Sequence, residues 1–515
     1  MTELAPAPPP AAVGLGALIR PTILVTLLAI GTHATNFFIQ MLMARFFGAG
    51  PELDAYFAAA TLPQYAVTVI LGTLPVIFIP VVAGYLSTGS DAEAARVIRT
   101  VTTLLFWLMS FATVAALLFA SPLLRVMTPG LAPETHTLAV QLAWILWPGI
   151  IAAAIVTLCT GVHHAYGRFA WAALVPLLAG IVNVAALAMF GARYGVIVVA
   201  VAATATLLLQ MIALAPVFRH VASAPLSFSH PAVRDVLVRI VPLLVAGLFI
   251  RANVVAERFL ASGLEAGSIS HVAYASRALA FLTMLLSGGI ATVMFPRMAR
   301  SVAAADWRAV DHDLTMTLRM MFVLIAPAVA IGTVLARPGV ATLFERGRFT
   351  PADTLAVSSL LEIFLLSLPG ATIGMLAGRV LYALRASNLL AVGGAIEGAL
   401  YACYTVLLVR SIGVTGIAWG LVIYTTGSTA WLLVAVGRRI AWSGMAETAG
   451  AAIRTTLAAI IAAVAAATAM RVSPLPMPQL LLGGLAGVIT YTATLTLVNA
   501  RDARLLARAL AMLRR

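Results

Sequence analysis

Apolar runs of about 20 residues recur along this chain at short intervals. No other feature restricts its fold as strongly, because a helix of that length matches the roughly 30 Å hydrocarbon core of a bilayer. Fourteen such runs begin near residues 22, 60, 101, 139, 169, 196, 236, 272, 317, 355, 388, 414, 453 and 477. The joints between them are mostly short and carry Gly, Pro, Ser, Asp or Arg, so no soluble domain is inserted. With 62% hydrophobic and only 10% charged residues over 515 positions, the chain has too little polar surface to cover a soluble globule. The expected fold is an all-α integral membrane protein of about 14 transmembrane helices.

All 32 basic residues are arginine, so the net charge of +14 rests on groups that stay protonated. With a cytoplasmic N-terminus, 20 of them fall in cytoplasmic segments and 9 on the other face. That asymmetry predicts an N-in orientation and an even span count, with the C-terminus also inside. Residues 1–20, containing APAPPP and no basic stretch, read as a disordered cytoplasmic lead-in rather than a cleavable signal peptide. Residues 501–515, RDARLLARALAMLRR, read as a basic amphipathic tail that meets anionic lipid headgroups.

The chain also repeats itself. PETHTLAVQLAWILWPG (133–149) resembles PADTLAVSSLLEIFLLSLPG (351–370), and Gly161, Tyr166 and Gly195 are answered by Gly378, Tyr382 and Gly413 at offsets near 216 to 221. Ala55-Tyr56 is answered by Ala273-Tyr274, and the stretch from Gly72 to Pro80 by that from Gly288 to Pro296. Six spans therefore recur, and because six is even, both copies face the same way. The expected organisation is an N-lobe at 21–220, a linker at 221–234, a C-lobe at 235–440, and two further helices at 441–500. Two parallel six-helix lobes with a site between them suit alternating access; a duplicated scaffold is the plainer reading.

Polar side chains inside spans are costly and point to a cavity or to helix contacts. The first span carries His33, Asn36 and Gln40 on adjoining turns, and Asp54 opens a second span interrupted by Pro63, Gly72, Pro75 and Pro80. Arg251 and Glu257 lie in the seventh span and Arg277 in the eighth; Glu362 and Glu397 lie in the tenth and eleventh. Spans one, two, seven and eight are equivalent pairs, so Asp54, Arg277, Arg251, His33, Asn36 and Gln40 are candidates for a substrate site. Glu257, Glu362 and Glu397 are candidate coupling acids. Plainer roles stand beside these: helix capping for Asp54, an interfacial cap for Glu257, and an interhelical hydrogen bond for His33.

Cys159 and Cys403 both lie in apolar segments, and no His or Cys cluster has metal-ligand spacing, so neither a disulfide nor a metal site is expected. No GxxxxGK[ST] loop occurs, which argues against ATP hydrolysis. No cofactor, enzymatic activity or nucleic-acid partner is expected. Transport would run on an ion gradient, the membrane potential or the substrate gradient.

The run ARFFGAGPELDAYFAAATLP followed by FIPVVAGY resembles the start of the MviN/MurJ-like lipid II flippases, within the multidrug/oligosaccharidyl-lipid/polysaccharide exporter superfamily. GSISHVAYASRALAF with GGIATVMFPRMAR, and LFERGRFTPADTLAVSSLLEIFLLSLPG with GRVLYALRASN, resemble later segments of that family in the same order. The resemblance implies a bacterial inner-membrane carrier of an undecaprenyl-pyrophosphate-linked glycan in peptidoglycan synthesis. Its lipid tail would lie in a groove beside spans thirteen and fourteen, and its pyrophosphate in a cationic cavity. The expected partners are that lipid-linked glycan, membrane lipids and cell-wall synthesis proteins, and the expected state is a monomer.

Asp54 and Arg277 match a functional acid and a functional arginine of the family pattern. Elsewhere the chain departs from it: Thr32-His33 and Ile39-Gln40 stand where family members carry Ser-Arg and Arg-Asp, and Gln64 to Thr68 is uncharged where they carry paired arginines. Each lost charge-assisted phosphate contact is worth roughly 1.5 to 3 kcal/mol. Arg251 is the candidate compensator. The substrate is then lipid II bound through a rearranged anion site or a related lipid-linked glycan. The alternatives are a cation-coupled drug or metabolite antiporter of the same superfamily and a non-transporting scaffold in an envelope-synthesis complex.

Overall fold

A computed structural model describes residues 15–221, 223–238, 240, 252–384, 386–499 and 501–505. The described residues are helical almost throughout. In chain order the helices are α1 (Leu15–Phe47), α2 (Pro51–Ser87), α3 (Asp91–Leu118), α4 (Ala120–Met127), α5 (Pro133–Leu146), α6 (Gly149–Ala165), α7 (Phe169–Tyr194) and α8 (Ile197–Leu214). They continue with α9 (Ala252–Ser262), α10 (Ser268–Ala303), α11 (Trp307–Phe344), α12 (Pro351–Leu365) and α13 (Leu368–Ala383). The last four are α14 (Ser387–Ile412), α15 (Thr415–Ile440), α16 (Met445–Met470) and α17 (Pro476–Val498).

Among the described residues, ten helices are long and apolar enough to cross a membrane, or eleven when α12 and α13, bent by 42° at their break, form one span. This is a multi-pass membrane protein. The helices α2 and α10 occupy the expected second and eighth spans, at 37 and 36 residues. Much of the expected seventh span lies outside the described residues, as do Arg251, residues 1–14 of the lead-in and residues 506–515 of the tail.

The sequence repeat reappears in the backbone. The fourth span breaks between α5 and α6 at Trp147-Pro148, and the tenth breaks at the matching Leu366-Ser367. The helices α7 and α14 are each 26 residues long, and both end on a glycine with positive φ, Gly195 at 67° and Gly413 at 64°. Only glycine adopts that conformation without strain, so the same turn ends the same span twice.

Interruption of the second span at its prolines is not observed. The helix α2 runs through Pro63, Pro75 and Pro80 without a break. A proline removes one backbone hydrogen bond, but in an apolar medium unwinding would expose several more unpaired groups, so the helix continues.

The chain divides into two compact units whose borders cut across the helices: residues 1–42, 63–118 and 144–244 form one, and 43–62, 119–143 and 245–515 the other. In the first unit, Leu74, Phe78 and Val82 of α2 pack with Val97, Ile98 and Val101 of α3 and Leu158, Cys159 and Val162 of α6. Both cysteines are free: Cys159 is buried there and Cys403 is exposed.

In the second unit α11 carries α16 and α17. Ala458, Ala462 and Ala466 repeat every four residues on α16, so one small-residue face meets Val323 and Ile331 of α11 together with Tyr491 of α17. The Tyr491 hydroxyl donates to the Val323 carbonyl at 2.7 Å. At the chain's end, Asp502 is fully buried and takes ion pairs from Arg319 of α11 and Arg454 of α16, the latter at 3.1 Å. Asn499 Nδ2 donates to Asp502 at 2.9 Å, and Arg319 also pairs with Glu447. The start of the expected surface tail is thus pinned into the protein by its single acid.

Candidate functional site

The second unit gathers the N-terminal ends of α2 and α10, and Asp54 joins them. Asp54 lies in the first turn of α2, where a carboxylate also suits that helix's own dipole. Its side chain is turned to the other helix: Gly267 N–H donates to Oδ2 at 2.6 Å, while Ser270 N–H and Ser270 Oγ donate to Oδ1 at 2.8 and 2.6 Å. The helix α10 begins after Gly267, which has no side chain with which to cap it and a φ of 94°. Asp54 supplies the missing acceptor from 213 residues away. Only 3% of Asp54 is exposed, and its three donors are neutral groups.

Further contacts tie the same ends together. The hydroxyl of buried Tyr274, on α10, donates to the Gly48 carbonyl at 3.3 Å, in the turn between α1 and α2. Arg348 N–H donates to the Arg45 carbonyl at 2.9 Å, so the loop from α11 to α12 lies on that turn as well. Gly48 and Gly347 both have positive φ, and the approach is close enough that a Cβ on either would collide with the facing carbonyl, of Arg348 and Arg45 respectively. His271 pairs with Asp353 at 2.9 Å, and Asp353 also completes the capping box with Thr350 that starts α12.

The cationic groups lie beside this latch. Arg277, one turn beyond Tyr274 on α10, places its guanidinium 4.6 Å from the centre of the Phe57 ring on α2. Arg258, on α9, lies 6.0 Å from the same ring and donates to the Ile269 carbonyl at 3.2 Å. Its neighbour Glu257 is buried and accepts from the Tyr401 hydroxyl at 3.4 Å. A cavity of about 270 Å³ opens beside Asp54, bounded by Leu131, Ser262 and Glu265.

The sequence candidates thus separate. Asp54, Arg277 and Glu257 lie in the second unit, where Asp54 and Arg277 both join α2 to α10. Asp54 accepts its hydrogen bonds from the start of the other helix, α10. His33 and Asn36 are exposed and Gln40 is half-buried on the part of α1 that belongs to the first unit. Arg251 is outside the described residues. Glu362 is half-buried on α12 with Arg337 of α11 near enough to act on it, and Glu397 is half-buried on α14 with Ser428 of α15 near enough to act on it. Among the described residues no group of His, Cys, Asp and Glu could hold a metal ion.

Sequence reasoning missed Phe57, Arg258's contacts, Gly267, Ser270, Tyr274 and the His271–Asp353 pair. One signal was present: Ala55-Tyr56 and Ala273-Tyr274 mark the two helix starts that meet. An apolar groove of about 500 Å³ runs between Phe322, Val329 and Thr333 of α11, Leu366 and Pro369 at the α12–α13 break, and Ala459 and Ala463 of α16. It is bordered by the thirteenth span but not by the fourteenth, whose helix α17 packs on α11 and α16 elsewhere.

This fold defines a class: an all-helical, multi-pass membrane protein. An inward-facing multidrug-resistance MATE family transporter of the MOP superfamily aligns with a TM-score of 0.69 at 16% identity, over 81% of this chain and 98% of that one. A solved lipid II flippase MurJ in an inward closed conformation aligns with a TM-score of 0.77 at 19% identity, over 93% of this chain and 98% of that one.

The family is narrower than the fold. The model described as lipid II flippase MurJ matches residues 43–486, and the chain belongs to that family. Its relatives include the lipid II flippase MurJ of Burkholderia cenocepacia, 28% identical over 367 residues that span 68% of this chain and 71% of that protein. A probable lipid II flippase MurJ of Rhizobium tropici is 26% identical over 365 residues, 68% of each.

Proposed function

We propose that this protein carries lipid II from the cytoplasmic to the periplasmic leaflet of a bacterial inner membrane, for peptidoglycan synthesis. The observation that carries the reading is the match to the lipid II flippase family across residues 43–486, which contains every part of the latch around Asp54. The arginine asymmetry supports cytoplasmic termini, and this orientation puts the latch on the periplasmic side. Asp54, Gly267, Ser270 and Tyr274 close that side when their contacts form, and release it when α2 and α10 part.

Arg277 and Arg258 are the cations for the diphosphate, held ready by the Phe57 ring, with Arg251 as a third. An arginine fork pairs two phosphate oxygens at once, and a ring face orients the fork without neutralising it. The groove along α11 and α16 accepts the polyprenyl tail, which needs only apolar walls. Glu257, hydrogen-bonded to Tyr401, is the acid placed to couple transport to a cation.

Depletion of the protein, followed by identification of the lipid-linked precursor that accumulates in the cytoplasmic leaflet, tests this reading. Lipid II should accumulate. If no precursor does, and cells instead become sensitive to a drug or dye, the antiporter reading replaces it.

A further inference from the structure

Away from the latch, a second cavity lies between α14 and α15, with a volume of about 510 Å³. It owes its shape to Gly393, against which the Trp431 ring lies so closely that a Cβ there would collide with the indole. Tyr404, Tyr424 and Trp431 line it, and one carboxylate, that of Glu397, joins them. Glu397 is ten residues into α14, or about 15 Å along the helix, half the thickness of a hydrocarbon core.

A carboxylate at that depth demands a partner. Ser428 lines the same cavity, and among the described residues no arginine stands within ion-pair distance of Glu397. The lining suits some cations and not others. A small metal ion needs a shell of about six oxygen ligands, and this lining sets beside Glu397 only the hydroxyls of Ser428, Tyr404 and Tyr424 among apolar and aromatic side chains. Lipid amines stay with their headgroups at the interface, one helix half-length away. Aromatic faces attract a cation whose charge is weakly hydrated, and apolar walls accept its body.

We propose that this cleft is a binding site for a lipophilic organic monocation, its charge set against Glu397 and its apolar substituents among Tyr404, Tyr424 and Trp431. The site is separate from the latch and from the groove along α11 and α16, and does not depend on lipid II being the substrate.

Tetraphenylphosphonium is the probe and tetraphenylborate its size-matched anion, each measured by equilibrium dialysis against the purified full-length protein in detergent. The expected result is saturable binding of the phosphonium alone, weakened at least tenfold in Glu397→Gln, several-fold in Trp431→Leu, and retained in Glu397→Asp. Equal binding by wild type and Glu397→Gln, equal binding of both ions, or no saturable phosphonium binding would each overturn the proposal. Should Glu397→Gln fail to fold, wild-type thermal stabilisation decides: a rise with the phosphonium and none with the borate supports the site, and equal rises refute it.

Discussion

Asp54 and Asp502 are both buried in the second unit, and they are neutralised in opposite ways. Asp502 holds two guanidinium groups from two helices, α11 and α16. Asp54 holds two backbone amides and a hydroxyl, all within residues 267–270. Separating Asp502 from its partners would leave charges of both signs unpaired and disturb three helices at once. Separating Asp54 frees one carboxylate and one helix start, and water can satisfy both. The first arrangement suits a joint that stays closed, the second a joint that opens in every transport cycle.

The largest expected effect is therefore at the static joint. Replacing Asp502 by alanine leaves Arg319 and Arg454 without their shared acid, and breaking a buried pair this way costs about 3 to 5 kcal/mol. The lower end applies, because the Arg454 side chain is 34% exposed and that of Glu447 56%. Thermal unfolding in detergent should show a clearly lowered midpoint. An unchanged midpoint would mean that Asp502 does not rivet α17 to its neighbours.

At the switchable joint the balance should reverse, with transport suffering more than stability. Asn at position 54 loses the charge and turns an amide N–H₂ toward donors, and hydrogen bonds to a charged group are worth about 1.5 to 3 kcal/mol each. Lipid II translocation in proteoliposomes should fall at least tenfold in Asp54→Asn, while the unfolding midpoint drops less than in Asp502→Ala. If the midpoint fell as far and transport survived, the two joints would have been assigned the wrong way round.

Much of the architecture was legible because the bilayer acts through length and apolarity alone. The apolar runs anticipated nearly every described helix, and the recurring Pro-Gly after Trp147 and Leu368, read in the sequence only as part of the repeat, stands beside the break in each of the two matching spans. The joints were harder to read. Asp54 and its partners lie 213 to 216 residues apart, and Gly267 at the start of α10 shows only that a capping side chain is missing, not where its substitute comes from. Asp502 stands among five arginines that read as a surface tail, and its burial follows from tertiary contacts to Arg319 and Arg454. The prolines of α2 misled because the rule that they break helices assumes water to satisfy the freed groups.

Arg277 tests whether the cations beside the latch serve the substrate. Arg277→Ala forfeits the contact with Phe57, worth about 0.5 to 2 kcal/mol, and any bond to the diphosphate. Measured lipid II affinity should drop at least tenfold, with Arg277→Lys intermediate because an ammonium cannot pair two oxygens as a fork does. Unchanged affinity in the alanine variant would confine Arg277 to holding α10 against α2.

The smallest effect separates the parts of the latch itself. Ser270→Ala removes the hydroxyl that donates to Asp54 Oδ1 but leaves the backbone N–H of residue 270 and that of Gly267 in place. A single hydrogen bond to a charged group is lost, at the low end of about 1.5 to 3 kcal/mol, since Oδ1 keeps one donor. The closed form should be slightly disfavoured, so translocation should change only a few-fold and the unfolding midpoint scarcely at all. A loss in Ser270→Ala as large as that in Asp54→Asn would make the hydroxyl, rather than the helix amides, the contact that closes this joint.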